Sequence, residues 1–292
     1  MAHLLRRGIR IVTDSSANLP EDWVRRHGVI VLPQRVEING AMLREGIDLD
    51  VATLAHMATH ASQPFVTHPP SLEEFLAAYQ QLAAERADIL SIHVAATLNG
   101  TVQVAQQARE RILGRCEVHV LDSRTAAAGL GALVKAAVRM AEQGMPFETV
   151  VRHVRGLAQN VFGVFLSDEM RYLERSGRLR PAQALLGKML NIIAYLVFEE
   201  GALIAPEKVR TLEKGYEKLA EFAAEFEPTS GFYAVQLAPQ PNHPRVRGLI
   251  DAIRELMPEV RRVALSPSGA ALGSVLGPGG IGLIITAFAE EA

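Results

Sequence analysis

The sequence has a single cysteine, Cys116, so it can form neither an intramolecular disulfide nor a cysteine-rich zinc site. That scarcity fits a reducing compartment, and a cytoplasmic location is the expectation. An excess of either charge is also missing, with 30 Lys and Arg against 32 Asp and Glu. Such a balance gives no footing for nucleic acid or an anionic membrane surface. Long apolar runs are absent too. A stretch such as 280–288 falls far short of the roughly 20 residues that a membrane helix needs. Arg6 and Arg7 have no apolar run behind them, unlike a secretory signal. A soluble chain without an integral membrane segment is expected.

What the sequence does have is length and apolar content. At 292 residues, with 49% of them apolar, it is long for one core and rich enough for two. The first half alternates short β-rich runs (Ile9–Val12, Val29–Leu32, Ile89–Val94, Val118–Leu121) with helical patterns. The helices are expected at Val51–Thr59, Leu72–Arg86, Val102–Leu113 and Ala126–Gln143. Ser71 with Glu74 forms a capping box, and Leu72, Phe75, Leu76 and Tyr79 follow at helical spacing. Strand–helix alternation predicts a parallel sheet with helices on its faces and ligand-bearing loops at the strands' carboxyl ends.

The second half reads differently. A helix at Phe147–Leu157 leads to a strand at Val161–Leu166 and short helices at Glu169–Arg175 and Ala182–Leu186. Strands at Tyr195–Phe198 and Ala202–Ile204 join through the turn Glu199-Glu200-Gly201. A helix at Val209–Glu225, a strand at Phe232–Leu237, a helix at Val246–Leu256 and strands at Arg262–Leu265 and Gly282–Ala287 complete the chain. The fold class expected is therefore α/β with two domains. Residues 1–158 would form a parallel-sheet α/β domain, and 159–292 an α+β domain with a mixed or antiparallel sheet.

Chemistry first suggests itself at Thr13-Asp14-Ser15-Ser16-Ala17-Asn18-Leu19-Pro20, just after the first strand. Its polar side chains can cap a strand-to-helix turn, or hold an anion or partner at a helix amino terminus. Together with Ile11-Val12, this segment resembles the amino-terminal signature of the DegV family. The likeness continues through Asn39-Gly40 and Arg44-Glu45-Gly46-Ile47-Asp48-Leu49, where the family usually has Asp at the position of Glu45. It runs on through Leu98-Asn99-Gly100-Thr101 with Ala105, Leu121-Asp122-Ser123, and Gly129. In the second half it includes Tyr172-Leu173, Ser176-Gly177-Arg178-Leu179 and Lys208-Val209-Arg210. It closes on Gly277-Pro278-Gly279 with Gly282-Leu283. No one motif is decisive; their order along almost the whole chain is.

The resemblance implies a fatty-acid-binding protein of two α/β domains, with the acyl chain in an apolar tunnel between them. The carboxylate would be held by hydroxyl and imidazole groups and presented to the catalytic subunit of a fatty acid kinase, which makes acyl phosphate for phospholipid synthesis. It implies no catalysis by the chain itself and no cofactor beyond the bound fatty acid. Matched residue by residue, the ligand-binding set would be Thr67, His68, Ala96, Thr97, Val275, Gly277 and Gly279, with Arg178 docking the kinase. Several of these depart from the family pattern. His68 replaces a serine, Ala95-Ala96-Thr97 replaces Ser-Ser-Gly, and Val275 stands where the family has histidine. Ile193-Ala194 replaces a Lys-Pro pair. Either Thr67, His68 and Thr97 rebuild the polar end, or the chain binds a different apolar ligand or binds fatty acid weakly. A regulatory or interaction protein that kept the fold and lost the lipid is the alternative of another class.

Other readings of the residues are weaker. His56 and His60 have the spacing of a helical zinc pair, but Met57 stands where a metalloprotease carries its glutamate, and no third ligand follows. Asp14, Ser15, Ser123, His68 and His93 could supply a Ser–His–Asp hydrolase, though the chain has no Gly-x-Ser-x-Gly elbow. Gly277-Pro278-Gly279-Gly280 is followed by no Lys-Ser or Lys-Thr pair, so it is not a phosphate loop. Arg171, Arg175, Arg178 and Arg180 concentrate positive charge that reads either as a solvated face or as a docking patch.

Overall fold

The computed structural model describes residues 8–177 and 192–288. The first strand, β1 (Ile9–Asp14), ends in a 3-10 turn (Ser15–Ala17) and is followed by α1 (Glu21–His27) and β2 (Ile30–Leu32). Further on come α3 (Leu72–Ala84), β6 (Asp88–His93), α4 (Thr101–Arg111), β7 (Val118–Asp122), α5 (Ala127–Glu142) and α6 (Phe147–Ala158). The strands form an all-parallel sheet in the order β2-β1-β6-β7. Because the chain leaves β1 toward one edge and β6 toward the other, a crevice opens between their carboxyl ends.

Between β2 and α3 lies a segment whose strands the sequence reading did not include. There β3 (Arg35–Ile38), β4 (Ala41–Arg44) and β5 (Val66–His68) make a three-stranded antiparallel sheet, and α2 (Val51–His60) packs with it. Asn39 and Gly40 both have positive φ, 51° and 79°, which matches the twist of a two-residue hairpin. Buried Val36, Ile38, Leu54, Phe65 and Tyr172 form the small core beneath this sheet.

The second sheet begins with β8 (Val161–Ser167), followed by α7 (Met170–Ser176). Then come β9 (Ile193–Glu199), β10 (Ala202–Val209), α8 (Leu212–Ala223), β11 (Gly231–Gln236), α9 (Pro244–Leu256), β12 (Ala264–Pro267), α10 (Gly269–Leu276) and β13 (Ile281–Thr286). The order is β10-β9-β8-β13-β11-β12, antiparallel except for the β11–β12 pair. The fold class is thus the expected one, α/β with a parallel and a mixed sheet. Two details differ from expectation. The helix expected from Val209 starts at Leu212, because Val209 pairs with Ile193 in β10 and Thr211 caps Lys214 N. And α10 was not foreseen, its glycines and short length hiding the helical period. The helix expected at Ala182–Leu186 lies outside the described residues.

Period two sorts the mixed sheet's side chains. Val164, Leu166, Ile281, Leu283 and Ile285 face α8 and α9, while Phe165 and Ile284 face the other way. That other face meets α5, a helix buried through Leu130, Leu133, Val134, Ala137 and Val138, with Gly131 and Ala132 between. A helix apolar on so much of its circumference needs a cover on both sides. It touches β1 and β6 of the parallel sheet and β11, β12 and β13 of the mixed one. The result is one apolar layer shared by both sheets, running from Ile11 and Leu90 through α5 to Leu196 and Ile284.

Gly282 shows how closely this layer is packed. Its register partner is Phe165, and a Cβ on Gly282 would stand 2.1 Å from Phe165 Cδ1 and 2.5 Å from Val164 O. The ring is held from its other side by Phe198, edge-on at 5.5 Å between centroids. Gly282→Ala is therefore expected to cost about 3 kcal/mol through overpacking. Urea unfolding should show a lower midpoint at unchanged slope; an unchanged midpoint would mean the ring moves aside freely.

Candidate functional site

The crevice at the carboxyl ends of β1 and β6 is lined by a buried polar network. Asp14 closes β1, and His93 closes β6; both are fully buried. Asp14 Oδ2 lies 3.0 Å from His93 Nδ1 and accepts the Val94 N–H at 3.0 Å, while Oδ1 accepts the Ser16 N–H at 3.1 Å. Burial alone would raise this carboxyl. The hydrogen bonds from His93 and from the Val94 amide outweigh that and hold it below the ordinary carboxylate value. An anionic Asp14 places the proton of His93 on Nδ1. Nε2 then accepts from Ser91 Oγ at 2.6 Å, and Ser91 accepts from Tyr79 Oη at 2.7 Å. Burial pushes the Tyr79 phenol well up, which keeps it a donor. The chain of bonds thus runs one way, from Tyr79 to Asp14.

This order resembles a hydrolase relay, but the serine in it is none of those expected from the sequence. Ser91 is fully buried, with its hydroxyl committed on both sides. Ser15 instead donates to Glu45 Oε2 at 2.5 Å, and Ser123 bonds Thr125 O at 3.2 Å. The relay's visible work is to pin the loop after β6 to the end of β1. A second knot pins the neighbouring loops. Gln34 donates to Thr101 Oγ1 at 3.0 Å and accepts from Asn99 at 2.8 Å, and its own N–H bonds Ser15 Oγ at 2.9 Å.

Glu45 ties this edge to α10. Oε1 accepts the Ala270 N–H at 2.6 Å, in the first turn of the helix, while Oε2 takes the Ser15 hydroxyl. Burial raises the Glu45 carboxyl, the two hydrogen bonds offset only part of that, and the charge of Asp14 adds to it. One turn further along α10, Ser274 Oγ lies 3.3 Å from Thr67 Oγ1 and donates to Ala271 O at 2.8 Å. Thr67 is buried, on the face of β5 that looks toward α10.

The residues expected to form the polar end are not all brought together. Thr67 turns inward, whereas His68, next along the strand, turns outward to Glu37 Oε2 at 3.1 Å and is half-buried. The Thr97 hydroxyl bonds Gly201 O in the β9–β10 turn, and the Ala96 N–H bonds Asp122 Oδ1 at 3.2 Å. Ala95 and Val275 are fully buried in the shared apolar layer. Gly277, at φ 75°, and Gly279 lie against Glu169 and Asp168 ahead of α7, where a Cβ on Gly277 would meet Glu169 Cβ at 2.7 Å. Arg245 braces that turn, forking onto Asp168 at 3.0 and 2.7 Å and donating to Gly279 O at 2.5 Å. Arg178 lies outside the described residues. Among the described residues, no three His, Cys, Asp or Glu side chains are placed to hold a metal; the His56 and His60 rings stack at 4.5 Å, and His60 Nδ1 bonds His56 O at 2.8 Å.

Sequence reasoning missed Ser274, Glu45 as a helix-α10 ligand, and Ser91. Ser274 directly precedes Val275, so the closing glycine-rich segment pointed to its neighbourhood. Nothing local marked its pairing with Thr67, 207 residues away.

Two α/β lobes, one built on a parallel sheet and one on a mixed sheet, sharing an apolar layer define a two-lobed α/β class of protein. No described helix is long and apolar enough to cross a membrane. The chain belongs to the DegV family, described so far as uncharacterised, whose sequence profile matches residues 8–287. A DegV domain-containing protein of Streptomyces coelicolor is 33% identical over 287 residues, covering 97% of this chain and 99% of its own. A fatty-acid-binding DegV family protein of Thermus thermophilus superposes with a TM-score of 0.83 at 29% identity, over 96% of this chain and 100% of its own. Another, from Streptococcus agalactiae, gives 0.86 at 24% identity, over 98% and 100%.

The Asp14 network yields a pH prediction. A carboxyl held below its unfolded value stabilises the fold above the ordinary carboxylate range, and that stability is lost as pH falls through the folded value. Asp14→Asn should therefore cost about 1–3 kcal/mol at pH 7 by removing the charged acceptor that the buried His93 and the Val94 amide share. Thermal unfolding from pH 7 to pH 3 should show the gap to the unaltered protein narrowing; a constant gap would place the carboxylate charge outside the network's stability.

Proposed function

We propose that this chain is a lipid carrier that binds a long-chain fatty acid, or a closely similar lipid, in the apolar layer between its sheets. The polar end of the lipid sits at Thr67, and the chain performs no catalysis of its own. The observation that carries the reading is the continuous apolar layer reaching from α5 to α10, the helix on which part-buried Ser274 pairs its hydroxyl with that of buried Thr67. The fatty-acid-binding relative from Thermus thermophilus supports it. Each methylene taken from water contributes about 0.8 kcal/mol, so a long chain needs few polar contacts to be held.

The division into domains falls at 158/159, between α6 and β8, and the acyl chain lies between them. The carrier works in the cytoplasm and offers the lipid's head group to a separate kinase for acyl phosphate formation, with Arg178 at the docking face. Needing no cofactor, it contributes only binding and presentation.

Protein made in a heterologous host should carry close to one fatty acid per chain, read by mass spectrometry of its extracted lipids; protein purified empty would sink the carrier reading. Thr67→Ala should at least halve the retained lipid, and unchanged retention would move the polar end elsewhere. In an assay with a fatty acid kinase, Arg178→Glu should depress acyl phosphate formation and leave lipid content intact. Full turnover by that variant would remove Arg178 from the docking face.

A further inference from the structure

Where helices join the strands of a parallel sheet, they run back against them, so their carboxyl ends gather where the strands begin. At that end of the first sheet, the far end of β1 from Asp14, lies an open cavity of about 420 Å³. A cavity of this size accommodates a small molecule. Ile9, Ile11, Val138 and Ala141 give it an apolar floor. The charged groups among its lining residues are Arg10, Glu85 and Glu142, with the imidazole of His27 beside them.

Both acids stand where helix electrostatics disfavours them. Glu142 is the last residue of α5, and Glu85 caps the carboxyl end of α3. A helix carries partial negative charge at that end, which favours a cation there and opposes a carboxylate. The carboxyl end of α1 joins them, closing on His27 and on Gly28 at φ 61°. Three helix ends and two carboxylates thus face a single guanidinium and an imidazole.

The contacts within the chain leave both carboxylates able to take more donors. Arg10 Nη2 donates to Glu85 Oε2 at 3.0 Å, and Gln81 Nε2 reaches Glu85 Oε1 at 3.5 Å. His27 Nδ1 lies 2.6 Å from Glu142 Oε1. A carboxylate offers about four acceptor positions. The side chains of Glu85 and Glu142 are 38% and 56% exposed, so a ligand can reach them. Ion pairs this open to water contribute little to stability, and folding alone does not explain two acids at this rim. A bare metal ion would leave the apolar floor unused.

We propose that this cavity binds an aliphatic diamine or polyamine, with ammonium groups on Glu85 and Glu142 and methylenes over Ile9, Ile11 and Val138. Arg10 then competes with the ligand for Glu85. The site is separate from the lipid reading and stands or falls without it.

The test is calorimetric titration of the full chain with spermidine at pH 7.5 and low ionic strength. One saturable site per chain is expected. Glu85→Gln and Glu142→Gln should each weaken it about tenfold, as the loss of a hydrogen bond to a charged group does. Both replaced side chains are partly exposed, and unchanged thermal unfolding will show the variants folded. Arg10→Gln should tighten binding by removing the competing cation. Propylamine, with one ammonium group, should bind at least about tenfold more weakly than spermidine. Absence of a saturable site would overturn the proposal, as would equal competition by magnesium chloride, which would reduce the rim to a diffuse counterion field. Affinity untouched by both glutamine variants, or lowered by Arg10→Gln, would overturn the roles given to these side chains.

Discussion

The covering of α5 on both sides is the constraint from which the architecture follows. Leu130, Leu133, Val134, Ala137 and Val138 bury faces of the helix that no single sheet can shield. One sheet supplies Ile11, Leu90 and Ile92, and the other supplies Phe165, Val235 and Ile284. Each sheet then needs helices only on its outer face, α3 and α4 on one and α8 and α9 on the other. The shared layer is also what makes a lipid site plausible in physical terms, because apolar surface is concentrated where both lobes meet. Gly282 is part of the same logic, its lack of a Cβ leaving room for the Phe165 ring.

At the carboxyl edge of the layer the problem changes from apolar burial to polar satisfaction. Several loops leave the parallel sheet there, and their backbone groups are buried with them. Asp14 answers for the loops after β1 and β6 by accepting amides from Ser16 and Val94. Gln34 with Asn99 and Thr101 answers for the next, and Glu45 fastens the edge to α10. Asn18 adds a crossing bond to Pro267 O at 3.1 Å. The acids in this edge hold backbone amides of separate loops in place. On the opposite flank Arg245 does comparable work for the glycine-rich turn, holding it against Asp168 at the approach to α7.

Most of the elements were legible in the sequence because their signals are local. The capping box at Ser71 and Glu74 marked α3, and both reciprocal bonds are present. The Glu200-Gly201 turn marked the β9–β10 hairpin, and both residues have positive φ. What was overlooked had weak local signals or none. The strands β3, β4 and β5 are only three or four residues long, and β5 is separated from β3 in the chain by α2. The Asn39-Gly40 turn was the one available pointer to that sheet. Of the site, Thr67 was legible through its family match, but the opposite orientations of Thr67 and His68 follow from the strand's pleat once β5 exists. His93 was visible as a strand-end histidine, and its commitment to Asp14 depended on two strands becoming neighbours 79 residues apart.

By itself the sequence determined the fold class, the order of most strands and helices, and membership of a family, since these depend on periodicity, capping and motif order along one chain. Only the tertiary structure decided which polar groups become partners. Asp14 and His93 are partners because β1 and β6 become neighbours in one sheet, and Thr67 with Ser274 and Glu45 with Ala270 because α10 packs against the segment between β2 and α3. The physical reason is that hydrogen bonds act over about 3 Å in space, and no spacing along the chain encodes contacts formed by the meeting of separate layers.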